Sequence, residues 1–328
     1  MSDTDVDTPE QGDAFAGAAT AAAAFSGANP VATTRLAIGF SWSECPRWHQ
    51  GRFYFSDMYH HRILAVGPDG STETIVDLSD RIPVADAVVP EVVPGGFGWL
   101  PDGRLIVTSM QERLVLAWDG ERVTEYADLR DVAAEAAVND MVVDADGRAY
   151  ITQLGFDLFQ GADPVPSPLL VVEPDGKAHA LTDLGGLMCG NGIALTEDGG
   201  TLVAVEAYGV TVLAFDRAAD GTLSNRRTFA TLPAPGDGMC LDADGAAWIA
   251  SPAGGVVVRV TEGGTATDLL SFDASEAIPT SCVLGGEDRR TLYVTAGTEV
   301  FDWEKSRRES TGTVWTAPVA VGGGTARP

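Results

Sequence analysis

Positive charge is scarce in this chain. Lys and Arg number 21 against 47 Asp and Glu, for a formal charge of -26 at pH 7. A field of that sign repels phosphate backbones and anionic lipid, which argues against nucleic-acid and membrane-surface partners. Long apolar runs are missing too, because the Ala-rich stretch from Ala14 to Phe25 is shorter than the roughly 20 residues a spanning helix needs. Asp3, Asp5, Asp7 and Glu10 precede it, where a secretory signal carries basic residues. Residues 1–32 therefore read as a flexible, acidic, Ala-rich leader. Four cysteines occur, Cys45, Cys189, Cys240 and Cys282, without CxxC spacing. A zinc knuckle is thereby disfavoured, and reduced thiols in a cytoplasmic protein are the expectation. The chain also lacks a GxSxG nucleophile elbow, an HExxH pair and a phosphate-binding P-loop.

What the 328 residues do hold is short Val, Ile, Leu, Tyr and Trp runs punctuated by Asp-Gly turns, as at 67–70, 100–103, 144–147, 173–176, 218–221 and 242–245. Asp-Gly between such runs marks β-hairpins, and no long stretch carries a helical period, so the fold class is all-β. Six segments share one pattern of apolar strand, turn and second apolar strand, among them GWLPDGRLIVTS (98–109), MVVDADGRAYIT (141–152) and MCLDADGAAWIAS (239–251). Turn to turn they recur at intervals of 44–52 residues, about the length of one four-stranded propeller blade. The reading is a single six-bladed β-propeller over residues 33–320, four antiparallel strands per blade, with a disordered tail at 321–328. Residues 34–40 and 311–319 come from opposite ends of the chain and are expected to pair as the strands that close the ring.

Counting back from the turn glycine picks out one repeat position. It holds Gly95, Asn139, Asn191 and Asp237, with Glu44 in the first copy and Thr280 or Ser281 in the sixth. Every innermost strand of a propeller starts at the same end of the central channel, so these residues converge. Two carboxylates and two amides gathered there repel unless a cation sits among them. All-oxygen ligation suits one hard divalent ion, Ca2+ first, with Mg2+, Mn2+ or Zn2+ as alternatives. The competing reading is a set of capped turns, since Asn-Asp at 139–140, Asn-Gly at 191–192 and Asp-Gly at 237–238 are turn formers as well.

The motifs SECPRW, NDMVVDADGRAYIT, CGNGIALTEDGGTLVAVE, GDGMCLDADGAAWIA and TSCVLGGEDRRTLYVT, in that order over roughly residues 36–318, resemble the senescence marker protein (regucalcin)/gluconolactonase family of six-bladed propellers. The resemblance implies that Glu44, Asn191 and Asp237 are metal ligands and that Asn139 contacts substrate or metal-bound water. It also implies a catalytic pair, with Asp237 as general base toward an attacking water and Asn139 as orienting donor. The activity it points to is metal-dependent opening of a lactone, a cyclic ester, as the small-molecule substrate. One departure stands out. Members acting on sugar lactones tend to carry Arg two residues before the site asparagine, and here that position is Ala137.

Two loops exceed hairpin length, at 79–96 and 153–170, and both mix Pro with apolar residues, as a lid over an apolar ligand would. Phe97, Met110, Phe156, Leu158 and Phe159 are the candidate walls, and with Ala137 they favour a substrate less polar than an aldonolactone. Irregular surface loops are the plainer account. His60 and His61 read as a solvated turn, and the cysteines as small buried residues packed about the axis. Two other functions stay open beside hydrolysis: a metal-assisted lyase or isomerase at the same site, and a non-catalytic calcium-binding propeller. Oligomeric state is not readable from the chain.

Overall fold

The computed structural model describes Phe25, residues 27–81 and residues 92–324; the leader up to residue 24, residues 26 and 82–91, and the last four residues lie outside the described residues. Six sheets form the blades of a propeller, as the repeat predicts. Their innermost strands are Ser43–His49, Pro94–Trp99, Val138–Val143, Gly190–Leu195, Met239–Leu241 and Ile278–Gly285, which define blades 1 to 6. Within blades 1 to 5 the next three strands follow in chain order from the axis outward. Asp-Gly turns join the hairpins with the left-handed backbone that glycine tolerates, as at Gly103 (φ +91°) and Gly147 (φ +89°).

Blade 6 is built from both ends of the chain. Its outermost strand, Thr34–Phe40, pairs antiparallel with Gly312–Pro318 in the register Thr34↔Thr316 and Ile38↔Thr313. This is the closure the sequence predicts, and it turns an open row of sheets into a ring. Asn29–Pro30, from the stretch read as leader, runs parallel to the outer strand of blade 5, with Asn29 opposite Asp268 and Pro30 opposite Leu269. The free edge of that blade supplies the backbone partners. Phe25 packs into the core beside it. At the other end, from the stretch read as tail, Gly322 accepts a hydrogen bond from the Ala243 N–H and the Gly323 N–H donates to Arg289.

The core lies between blades, and this is why the strands are apolar on both faces. In Thr201–Glu206, Leu202 and Ala204 face blade 3, whereas Val203 and Val205 face blade 5. Period-2 alternation sends successive side chains to opposite sheet faces. Burying each Leu or Val of this kind is worth about 1.5–3 kcal/mol, and an Ala less. Among the described residues no helix is long and apolar enough to cross a membrane.

Candidate functional site

The repeat position is set apart by backbone geometry. Five innermost strands slip register there, between Glu44 and Arg47, Pro94 and Phe97, Val138 and Met141, Gly190 and Ile193, and Pro279 and Ser281. A β-bulge re-aims one side chain out of the pleat. In blade 5 the corresponding residue, Asp237, sits just ahead of the strand, its N–H donating to Ala250 O at 2.8 Å.

Hydrogen bonds then tie these bulges to one another around the axis. Ser56 Oγ donates to Gly95 O (2.7 Å), Thr108 Oγ1 to Asn139 O (2.8 Å) and Thr152 Oγ1 to Asn191 O (2.8 Å). The Gly192 N–H continues to Asp237 O (3.2 Å), the Gly238 N–H to Thr280 O (2.8 Å), and Thr280 Oγ1 to Ser43 O (2.6 Å). Each blade thus grips the next, and the last grips the first. Gly192 and Gly238 are not turn residues. A Cβ on Gly192 would meet Met239 N at 2.6 Å, and one on Gly238 would meet Ser281 Oγ at 1.9 Å, so they are glycine because the blades approach so closely.

Glu44, Asn139, Asn191 and Asp237 all open onto one cavity of about 410 Å³ at this end of the channel. Each keeps some accessible surface while most of its strand neighbours are buried, and that surface faces the cavity. The acids are poorly served by donors. Burial first, and then the charge of Asp237, push Glu44 well above the usual carboxylate range, against a hydrogen bond from the Cys45 N–H (3.0 Å). Asp237 is pushed up to about 8, again chiefly by burial; the Asn191 amide works against the shift and Asp140 adds to it. The Asn139 amide donates to Gly190 O at 3.3 Å, which fixes its orientation. Among the described residues no three His, Cys, Asp or Glu side chains cluster as metal ligands, so the site is two acids and two amides.

The remaining lining is apolar, and part of it reaches across the mouth. Phe159, on the short 3-10 turn Leu158–Gln160 of blade 3, contacts Phe301 of blade 6 edge-on, with ring centroids 6.4 Å apart. Blades 3 and 6 stand opposite each other in a ring of six. The pair therefore bridges the opening. Met110 and Phe159 line the cavity as expected. Phe156 is buried one layer behind, edge-on to Tyr208 at 5.3 Å. Phe97 is misassigned: it follows the bulge in its strand, points between blades 1 and 2, and is fully buried in their core. Residues 82–91 of the first long loop lie outside the described residues.

The histidine pair is not a solvated turn. His61 is buried with Nδ1 2.6 Å from Val92 O, and His60 Nδ1 lies 3.0 Å from Asp57 Oδ2. All four cysteines are free and buried, in keeping with a packing role. Burial pushes the Cys189 thiol up to about 12.

The profile described as SMP-30/Gluconolactonase/LRE-like region matches residues 42–298. The chain belongs to this family. Among curated relatives, it is 26% identical to a regucalcin of Xenopus laevis over 82% of this chain and 88% of that one. It is 27% identical to a 6-deoxy-6-sulfogluconolactonase of Pseudomonas putida (80% and 88%) and 29% identical to a pentonolactonase of Haloferax volcanii (77% and 80%). A solved structure described as a calcium-binding protein, regucalcin, from Agrobacterium tumefaciens superposes with a TM-score of 0.70 at 17% identity, covering 90% and 96% of the two chains. That likeness bears on the fold.

Within this SMP-30/gluconolactonase propeller two site features had no sequence signal. Arg47 and Asp140 form a buried ion pair on the axis at 2.5 Å, although 93 residues separate them. Arg47 also donates to Phe97 O (2.7 Å) and Met141 O (2.7 Å). Asp140 adds negative charge beside Glu44 and Asp237. The other is Phe301, which precedes the short helix Trp303–Glu309 in a segment that reads as an ordinary polar connection.

Proposed function

We propose that this protein is a metal-dependent lactonase whose cyclic ester is less polar than an aldonolactone. One observation carries the reading: two acids and two amides share the floor of a 410 Å³ cavity whose other lining is almost wholly apolar. The donor set fits a hard divalent cation, calcium first, because enclosed carboxylates held this far above their ordinary range lack the positive charge that would satisfy them. Glu44, Asn191 and Asp237 would hold it, and when bound it supplies charge for the developing oxyanion and lowers the pKa of water.

The chain's own groups do the rest. Asp237 takes the proton of the attacking water at its carboxylate, and Asn139 presents a fixed amide donor to the ester. Phe159, Phe301, Leu158 and Tyr208 cover the reacting centre and exclude bulk water. The lactonases among its relatives support ring opening. The walls support a less polar substrate: among the described residues neither Lys nor Arg lines the cavity, so few donors are present for sugar hydroxyls, and Ala137, off the wall itself, is buried and apolar. Four buried, unpaired thiols suit a reducing compartment such as the cytoplasm.

A panel of lactones graded from gluconolactone to alkyl γ- and δ-lactones, assayed with and without chelator, tests this. The expected result is hydroxy acid product from the apolar members, lost on chelation and restored by calcium. Turnover that survives chelation would remove the metal from the reading, and a preference for gluconolactone would remove the polarity.

A further inference from the structure

We propose that the opposite end of the channel binds a small carboxylate with an apolar body, held through the guanidinium of Arg289. A second cavity, of about 670 Å³, opens there, lined by Arg289, Trp48, His49, Trp99, Leu100 and Pro101 among others. Arg47 lines it as well, buried in its ion pair with Asp140, and among the described residues none lines both this cavity and the one above. The two sites are separate. The inference stands whether or not the lactonase reading does.

Arg289 sits where the fold asks for glycine. Blades 2 to 5 place Gly103, Gly147, Gly199 and Gly245 at the left-handed position of this hairpin, with φ of +91°, +89°, +68° and +76°. Blade 4 reads TEDGGTL and blade 6 reads GEDRRTL, which puts Arg289 in register with Gly199. Its φ is +61°, a conformation that L side chains rarely adopt. Departures from turn chemistry of this kind gather at functional positions.

Among the described residues the guanidinium that results has no counter-charge. Arg289 Nε is buried without a hydrogen-bond partner, and among the described residues Arg289 forms no ion pair in a chain with 47 acids. The other charges lining the cavity are committed: Arg47 to Asp140, and Asp144 to Arg148 (3.2 Å) and Arg217 (2.5 Å). The main chain of Arg289 is strapped down, its carbonyl accepting from the Gly323 N–H at 3.0 Å. Gly323 also makes room for it, since a Cβ there would lie 2.9 Å from an Arg289 terminal nitrogen. A guanidinium with no ion pair among the described residues, on a tethered main chain in a partly closed cavity, is suited to receive a carboxylate. Trp48, Leu100 and Pro101 supply an apolar surface for the rest of the ligand.

Phenylacetate, its neutral amide, and inorganic phosphate, titrated at constant ionic strength with tryptophan fluorescence as readout, test this on the full chain. Phenylacetate is expected to bind saturably and the amide at least about tenfold more weakly. Arg289→Gln should weaken phenylacetate by a similar factor while Asp237→Asn leaves it unchanged. Arg289→Gly should lose binding and keep or raise the Tm, because the turn prefers glycine. Saturable phosphate binding as tight as phenylacetate would mean that the apolar wall plays no part, and would overturn the carboxylate assignment. Failure of the wild type to bind, unchanged binding in Arg289→Gln, or a lowered Tm in Arg289→Gly would overturn the site.

Discussion

Asp57 and Asp237 are both enclosed carboxylates of one propeller, and their surroundings push them in opposite directions. Burial alone would raise Asp57, yet hydrogen bonds from His60 and Ser41 and the charge of Arg62 hold it below the ordinary carboxylate range. Ser41 N–H and Oγ reach Asp57 Oδ1 at 2.8 and 2.6 Å, and Arg62 closes on Oδ2 at 2.8 Å. Asp237 has one amide donor and two neighbouring acids, and it rises to about 8. The first is a finished piece of structure at the seam of blades 1 and 6. The second is electrostatically incomplete, and the proposed cation is what would complete it.

The comparison can be broken most forcefully at the acids themselves. Replacing Asp237 by Ala should lower kcat by roughly 10²–10⁴-fold while the Tm of the metal-free protein holds or rises at pH 7, since the cost of burying an acid that must first take up a proton has been removed. Asp57→Ala should do the reverse. It strands Arg62 and the buried Ser41 donors, costing about 3–5 kcal/mol in chemical denaturation, with kcat per folded molecule little changed.

The pH dependence sharpens the contrast, because the two shifts have opposite signs. A raised folded pKa, as at Asp237, gives a contribution that is present below the unfolded value near 4 and is lost as pH rises through about 8. The depressed pKa of Asp57 gives one that is present above its unfolded value and is lost as pH falls through the folded one. The metal-free protein should therefore lose Tm between about pH 4 and 8, and the gain in Tm on adding calcium should grow as pH rises toward about 8. A calcium effect that shrinks as pH rises would contradict this. The smallest effect concerns the cover of the site. Phe301→Ala, which removes half of the aromatic bridge, should raise KM for an apolar lactone by up to about tenfold with kcat nearly constant.

Much of this was legible in the chain because propeller repeats place equivalent residues at equivalent heights. Asn139, Asn191 and Asp237 can be aligned from turn glycines and Glu44, behind a shorter turn, from the strand residue Trp48, and the cavity they share follows from ring geometry. Bulges are not legible in the chain, and that is why Phe97 reads as a cavity wall: the register slip between Pro94 and Phe97 decides which way it points. Gly192 and Gly238 read as turn glycines because sequence does not reveal the neighbouring blade that each must clear. The Arg47–Asp140 pair and the Phe159–Phe301 bridge join residues far apart in the chain, with no local pattern to announce either.

The most direct test of the central claim is calorimetric titration of calcium into metal-free protein at pH 7, in two buffers of different ionisation enthalpy. The account predicts one ion per chain with release of at least one proton, because Asp237 is then largely protonated until the ion arrives and Glu44 is held above its ordinary range as well. It predicts at least a tenfold loss of affinity and of proton release in Asp237→Asn. Calcium binding without proton release, binding untouched by that substitution, or no binding at all would contradict it.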